Sequence, residues 1–155
     1  MSKCWLINII SFFTGIVVSW KIFRKKLNLW HQWQNEYKEK HHVLTIWLKK
    51  RTQGKKLNIY LNKYNYSSVA IYGLGEIGEI LLDELIQEQV NIKYIIDKEK
   101  KKNIYNIPVH SLEEPLEPVD VIIVTPIQVF DEIKKNIESK ITYHVVSIEE
   151  VIYEW

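Results

Sequence analysis

From residue 67 onward, apolar and polar positions alternate in blocks. Val69-Ala70-Ile71-Tyr72 is a short apolar run that predicts a strand, and it leads into the turn Gly73-Leu74-Gly75-Glu76-Ile77-Gly78. Ile80, Leu81, Leu82, Leu85 and Ile86 follow at the spacing of an amphipathic helix. Ile92-Lys93-Tyr94-Ile95-Ile96 predicts a second strand and Ile107-Pro108-Val109 a short extended third. Pro115 and Pro118 punctuate the approach to the run from Val119 to Val124, which is continuous enough to be buried on both faces of a parallel sheet. Thr125-Pro126 ends that strand, a helix is expected from Ile127 to about Ser139, and a last strand from Thr142 to Val146. Two Ser-x-x-Glu sequences, Ser111 to Glu114 and Ser147 to Glu150, predict capped turns, the first as a reciprocal capping box. Strands alternating with helices give the α/β class: a single doubly wound parallel sheet of five strands in the order 3-2-1-4-5, with helices on both faces.

The first 66 residues carry a different pattern. Trp5 to Trp20 is uncharged and mostly apolar, and Lys21, Arg24, Lys25 and Lys26 follow at once. The run is at the short edge of what spans a bilayer, and Asn8, Ser11, Thr14, Gly15 and Ser19 weaken it. It does not read as a signal peptide, because basic residues stand where a small-residue cleavage site belongs. From Leu29 to about Gln53, Trp30, Trp33, Tyr37, Leu44, Trp47 and Leu48 recur at helical steps and predict a packing face. Gly54 reads as the helix stop, and a short second helix is expected from Leu57 to about Tyr64. The expected organisation is an apolar and basic leader (1–26), an amphipathic helical extension (27–66) and an α/β domain (67–155).

Charge sharpens this division. Residues 1–66 hold 13 Lys/Arg against two acids, a balance of +11, whereas residues 67–155 hold eight Lys against 17 acids, a balance of −9. Each half therefore suits a different partner. The acidic half is a poor nucleic-acid binder, and no nucleic-acid partner is expected. The basic half reads as an attachment to a membrane surface, with the cluster held at the anionic inner face of the plasma membrane, or to a protein partner or second copy in a homodimer. The domain itself is expected in the cytoplasm, where the single cysteine, Cys4, fits a reducing environment. His31, His41 and His42 have no carboxylate or thiolate at ligand spacing, so no metal site is expected.

The glycine turn is where chemistry is expected. A G-x-G-x-x-G sequence between strand and helix, with an acid about 20 residues further on, points to a dinucleotide site. Gly73 makes the tight turn, Gly75 admits a pyrophosphate close to the backbone, and Gly78 lets the helix approach the strand. The amides of Leu74, Glu76 and Ile77 lie around the helix N-terminus, whose dipole favours phosphate. Glu76 competes with a phosphate for those amides. Asp97 is expected to accept hydrogen bonds from ribose hydroxyls, while Lys98 and the run Lys100-Lys101-Lys102 suit a 2′-phosphate, so NAD and NADP both stay open. Thr125 and Pro126, at the end of the fourth strand, complete the expected crevice.

The sequence Gly73-Leu74-Gly75-Glu76-Ile77-Gly78-Glu79-Ile80-Leu81 resembles the G-x-G-E-x-G-E-x-L turn of nucleotide-binding domains in bacterial polysaccharide biosynthesis. These are the N-terminal domains of membrane-bound nucleotide-sugar epimerase/dehydratases and of sugar acyltransferases, together with small stand-alone proteins of capsule clusters. Tyr94-Ile95-Ile96-Asp97, Ile107-Pro108-Val109 and Asp120 to Pro126 agree in order with the same pattern. The resemblance implies a Rossmann-like domain binding NAD(P) or a UDP-sugar, and an accessory or regulatory role in surface-polysaccharide synthesis. In those enzymes a separate catalytic domain follows, which these 155 residues do not hold. Two alternatives remain: a small epimerase or oxidoreductase completed by oligomerisation, and a non-binding interaction module whose crevice Glu76 closes. Tyr94-x-x-x-Lys98 has the Tyr/Lys spacing of short-chain dehydrogenases but lies at a strand end, where that spacing is a coincidence.

Overall fold

The structure is a computed structural model that describes the backbone of residues 2–99 and 104–155, and side chains from residue 16 onward. Cys4, the side chains of the apolar leader up to Gly15, and the run Lys100-Lys101-Lys102 therefore lie outside the described residues. The chain divides into two compact units between Lys38 and Glu39. Helix α1 (Ser2–Thr52) contributes to both, and among the described residues no helix is long and apolar enough to cross a membrane.

The second unit is the α/β fold. After α1 come α2 (Asn58–Lys63), β1 (Val69–Tyr72), α3 (Glu76–Gln87), β2 (Ile92–Ile96), β3 (Val109–His110), β4 (Val121–Val124), α4 (Phe130–Glu138), β5 (His144–Ser147) and α5 (Ile148–Glu154). The five strands form one sheet in the order β3-β2-β1-β4-β5, and every neighbouring pair is parallel. The expected α/β class and strand order hold. Both central strands, β1 and β4, are buried along their whole length, as their unbroken apolar runs require.

Alternation along the strands sorts the core into two layers. Val69, Ile71, Ile95, Val121, Ile123 and Val146 face one layer, where they meet Val43 and Trp47 of α1, Leu57, Tyr60 and Leu61 around α2, Leu81 and Leu85 of α3, and Val151 of α5. Ala70, Tyr72, Tyr94, Ile96, Ile122, Val124 and Val145 face the other, covered by Ile137 of α4 and by Leu112 and Leu116 from the loop before β4.

The end of α1 is part of this core. Val43 is fully buried and Trp47 nearly so, and burying such a side chain stabilises the fold by about 1.5–3 kcal/mol. The Trp47 indole packs edge-on against Trp155 at 6.3 Å between ring centroids, and its Nε1 donates to Glu84 Oε2 of α3 at 2.5 Å. Arg51 lies 3.3 Å from the other Glu84 oxygen. Burial pushes the Glu84 carboxyl above its ordinary range, against the opposing pull of Trp47 and Arg51. Helix α1 then stops at Gly54, which adopts a left-handed φ of +73° while Lys55 N donates to Lys50 O at 3.1 Å, as a Schellman cap requires.

Several local expectations are corrected. The aromatic stripe is not a packing face throughout: Trp30, Trp33 and Tyr37 are more than half exposed and precede Glu39, where the α/β unit begins, and within that unit the core takes Val43 and Trp47 while Leu48 stays exposed. Helix α4 starts at Phe130, three residues later than the sequence suggests, since Ile127 to Val129 form a turn and no side chain caps the helix. The third strand is Val109–His110, with Ile107 bridged back to Ile104 instead, and the fifth runs His144–Ser147. Ser111 to Glu114 is a turn in which Ser111 Oγ accepts from Glu113 N at 3.3 Å. The Glu114 carboxylate pairs with His110 Nδ1 at 3.0 Å, so the reciprocal capping box does not form there. Ser147 does cap as expected, its Oγ accepting from Glu150 N at 3.0 Å, and the turn continues as helix α5.

Candidate functional site

The three glycines of the turn between β1 and α3 do three separate things. Gly73 has a left-handed φ of +89°, and a Cβ there would stand 2.9 Å from Pro126 Cδ and 3.0 Å from Thr125 Oγ1. A Cβ on Gly78 would stand 2.1 Å from the carbonyl oxygen of Gly73, so α3 lies against the turn as closely as backbone permits. Gly75 differs. Its φ is −77°, open to any residue, and a Cβ there would meet no described atom within 4 Å. Gly75 is also the N-cap of α3 and has no side chain to cap with, which leaves first-turn amides facing outward.

Neighbouring elements hold this turn in place. Gly73 N donates to Ile96 O at 2.8 Å, tying the turn to the end of β2. Thr125 is buried at the end of β4; its amide donates to Tyr72 O at 3.0 Å and its hydroxyl to Gly73 O at 2.9 Å. Asp97 lies at the end of β2, where Oδ2 accepts from Leu74 N at 2.8 Å and Oδ1 from Glu99 N at 2.8 Å. Its carboxylate thus fixes the loop, and each oxygen retains a further lone pair for a ligand hydroxyl.

Together these residues border a crevice of about 530 Å³ at the carboxyl ends of β1, β2 and β4, on the side where the strand order reverses between β1 and β4. Of the residues picked out from sequence, Gly73, Leu74, Gly75, Asp97, Lys98 and Pro126 line it. Ile77 points into the core, Gly78 and Thr125 support the turn from beneath, and Glu76 is exposed at the start of α3, outside the lining. Sequence reasoning passed over Tyr72, Glu99, Val129, Glu132 and Ile133, which line the same space. The signal for Tyr72 was its period-two position with Ala70, which turns it toward the α4 layer; Glu132 sits in the acidic first turn of α4, where its spacing gives no sign of the crevice.

A second recess of about 240 Å³ shares Tyr72, Asp97 and Lys98 and extends toward Ser111, Leu112 and Asn136. Burial and, second, the negative Asp97 raise the Tyr72 hydroxyl above its ordinary value, so it keeps its proton at neutral pH and serves as a donor. Tyr94 and Lys98 are not brought together as a catalytic pair. Tyr94 is buried with its hydroxyl donating to Glu117 O at 2.9 Å, whereas Lys98 is exposed at the crevice. Among the described residues no three His, Cys, Asp or Glu side chains gather where they would hold a metal.

Comparison with family models, with curated proteins and with solved structures gives no match. The functional reading therefore stands on the geometry of the crevice and on the residues that form it.

Proposed function

We propose that the crevice binds a ribose-containing nucleotide diphosphate, NAD(P) or a nucleotide-sugar, and that the chain is a nucleotide-binding accessory or regulatory component of surface-polysaccharide synthesis. One observation carries the binding reading. Gly73 and Gly78 are required by the fold itself, through a positive φ and a backbone contact, but nothing in the fold requires glycine at 75. A serine or aspartate there would cap α3 better. Empty space above a glycine, beside outward-facing amides, is what a phosphate approaching the backbone needs.

Among the described residues, Asp97, Glu99 and Glu132 line the crevice against one cation, Lys98. This balance suits ribose or hexose hydroxyls as donors. The pathway rests on the resemblance of Gly73 to Leu81 alone. The open space over Gly75 also speaks against the crevice being closed by Glu76.

Calorimetric titration of the 155-residue chain with NAD, NADH, NADP, NADPH, UDP-glucose and UDP-N-acetylglucosamine tests the reading. Binding that Gly75→Val abolishes, with the thermal transition preserved, supports it. A bound nucleotide whose affinity Gly75→Val leaves unchanged would remove the glycine turn from the site.

A further inference from the structure

The first compact unit carries a surface that has no part in the crevice. Along α1, Trp20, Phe23, Leu27, Trp30, Trp33 and Tyr37 recur at three- and four-residue steps and fall within one arc of roughly 140° on the helix. All six are exposed, from 41% at Leu27 to 66% at Trp33. The Trp20 and Phe23 rings lie 6.4 Å apart and those of Trp33 and Tyr37 stack at 6.5 Å, which makes the arc a nearly continuous aromatic strip.

The charges are placed around that strip. Lys21 and Lys25 lie on the opposite side of the helix, and the Arg24 guanidinium sits at the border, 5.3 Å from the centroid of the Trp20 ring. Lys26 falls within the apolar arc, where a long alkyl stem lifts its ammonium group clear. Residues 16–38 hold five Lys/Arg against the single acid Glu36.

We propose that this strip lies flat in the headgroup region of an anionic lipid bilayer, with the aromatic rings at the interface and Arg24, Lys26 and Lys38 on lipid phosphates. Charge decides between this and a second copy of the chain. If two copies paired through the strip, Arg24, Lys26 and Lys38 would lie at the seam from both sides, setting like charges against one another. An anionic lipid surface neutralises those same groups. The inference is independent of the nucleotide reading, whose residues belong to the other unit.

Flotation of the full chain with vesicles tests it, comparing pure phosphatidylcholine with vesicles containing phosphatidylglycerol. Partition onto the anionic vesicles should be at least about tenfold stronger and should weaken about fivefold for each charge removed in Arg24→Gln and Lys26→Gln, and much less for Lys21→Gln and Lys25→Gln on the far side of the helix. Trp30→Gln with Trp33→Gln should abolish most of the binding and leave the thermal transition of the α/β unit unchanged, since both rings are exposed. Equal partition onto neutral vesicles, or binding indifferent to the tryptophan substitutions, would overturn the proposal. So would a dimer in sedimentation that Trp30→Gln dissociates, in a chain that leaves vesicles unbound; the strip would then face a second copy.

Discussion

Substituting the glycines of the turn one at a time separates what the fold needs from what a ligand needs. In Gly78→Ala the new methyl group would stand 2.1 Å from the Gly73 carbonyl oxygen, and a backbone atom cannot swing aside as a side chain can. Forcing an extra carbon into such a contact costs about 1–3 kcal/mol, occasionally more, and a rigid neighbour puts this site at the upper end. Alanine gains about 1 kcal/mol over glycine within a helix, which offsets part of that strain. The net expectation is a loss of about 2 kcal/mol, which for a unit of this size lowers Tm by roughly 6–10 °C. In Gly75→Ala the same methyl group meets no described atom, and φ is already suitable. Only the weaker N-cap preference of alanine acts there, at a few tenths to about 1 kcal/mol. Urea and thermal unfolding followed by near-ultraviolet circular dichroism would measure both variants. If Gly78→Ala proves as stable as Gly75→Ala, the close approach of α3 to the turn is wrong, and with it the division of labour among the three glycines.

Two further outcomes concern pH. Asp120 Oδ2 accepts from the amides of Ser67 and Ser68 at 2.8 Å each and from their hydroxyls, which holds its carboxyl at about 2, below its ordinary 3.8. A lowered folded-state value means the stabilisation is present above pH 3.8 and lost as pH falls toward 2; Asp120→Asn should flatten that acid limb in urea midpoints taken across it, and an unchanged limb would refute the clip. Glu84 is shifted the other way, so its contribution is full below its ordinary 4.5 and declines as pH rises through its higher folded-state value. Glu84→Gln keeps an acceptor for the Trp47 indole and should remove that decline above pH 4.5; a variant with the same pH profile as the parent would show that the carboxyl is not held in the apolar contact described.

Much of the sheet was legible because its signals are local. Unbroken apolar runs at 69–72 and 121–124 and the strand-turn-helix context of the glycines specify β1, β4 and α3 from a few neighbouring residues each. What escaped depends on partners distant in the chain. Trp47 and Glu84 meet across 37 positions, and nothing in the spacing of the stripe tells Trp47, which is buried, from Trp33, which is not. Asp97 was correctly placed at the end of β2, but its bond to Leu74 N depends on how the turn closes in space. At Ser111 the capping pattern was overridden because His110 offers the Glu114 carboxylate a nearer partner. Val129 and Ile133 line the crevice through the turn before α4 and its first residues, a placement set by where the chain resumes after Pro126.

The burial of Val43 and Trp47 sets where this domain can be cut. A boundary drawn just before β1, where the sequence changes character, would strip Val43 and Trp47 of α1 and Leu57, Tyr60 and Leu61 around α2 from the core and leave Glu84 without its indole donor. The α/β unit is therefore not modular at that edge. Grafting it onto another leader, or trimming it for expression, has to keep the helix from Glu39 onward as a wall of the domain.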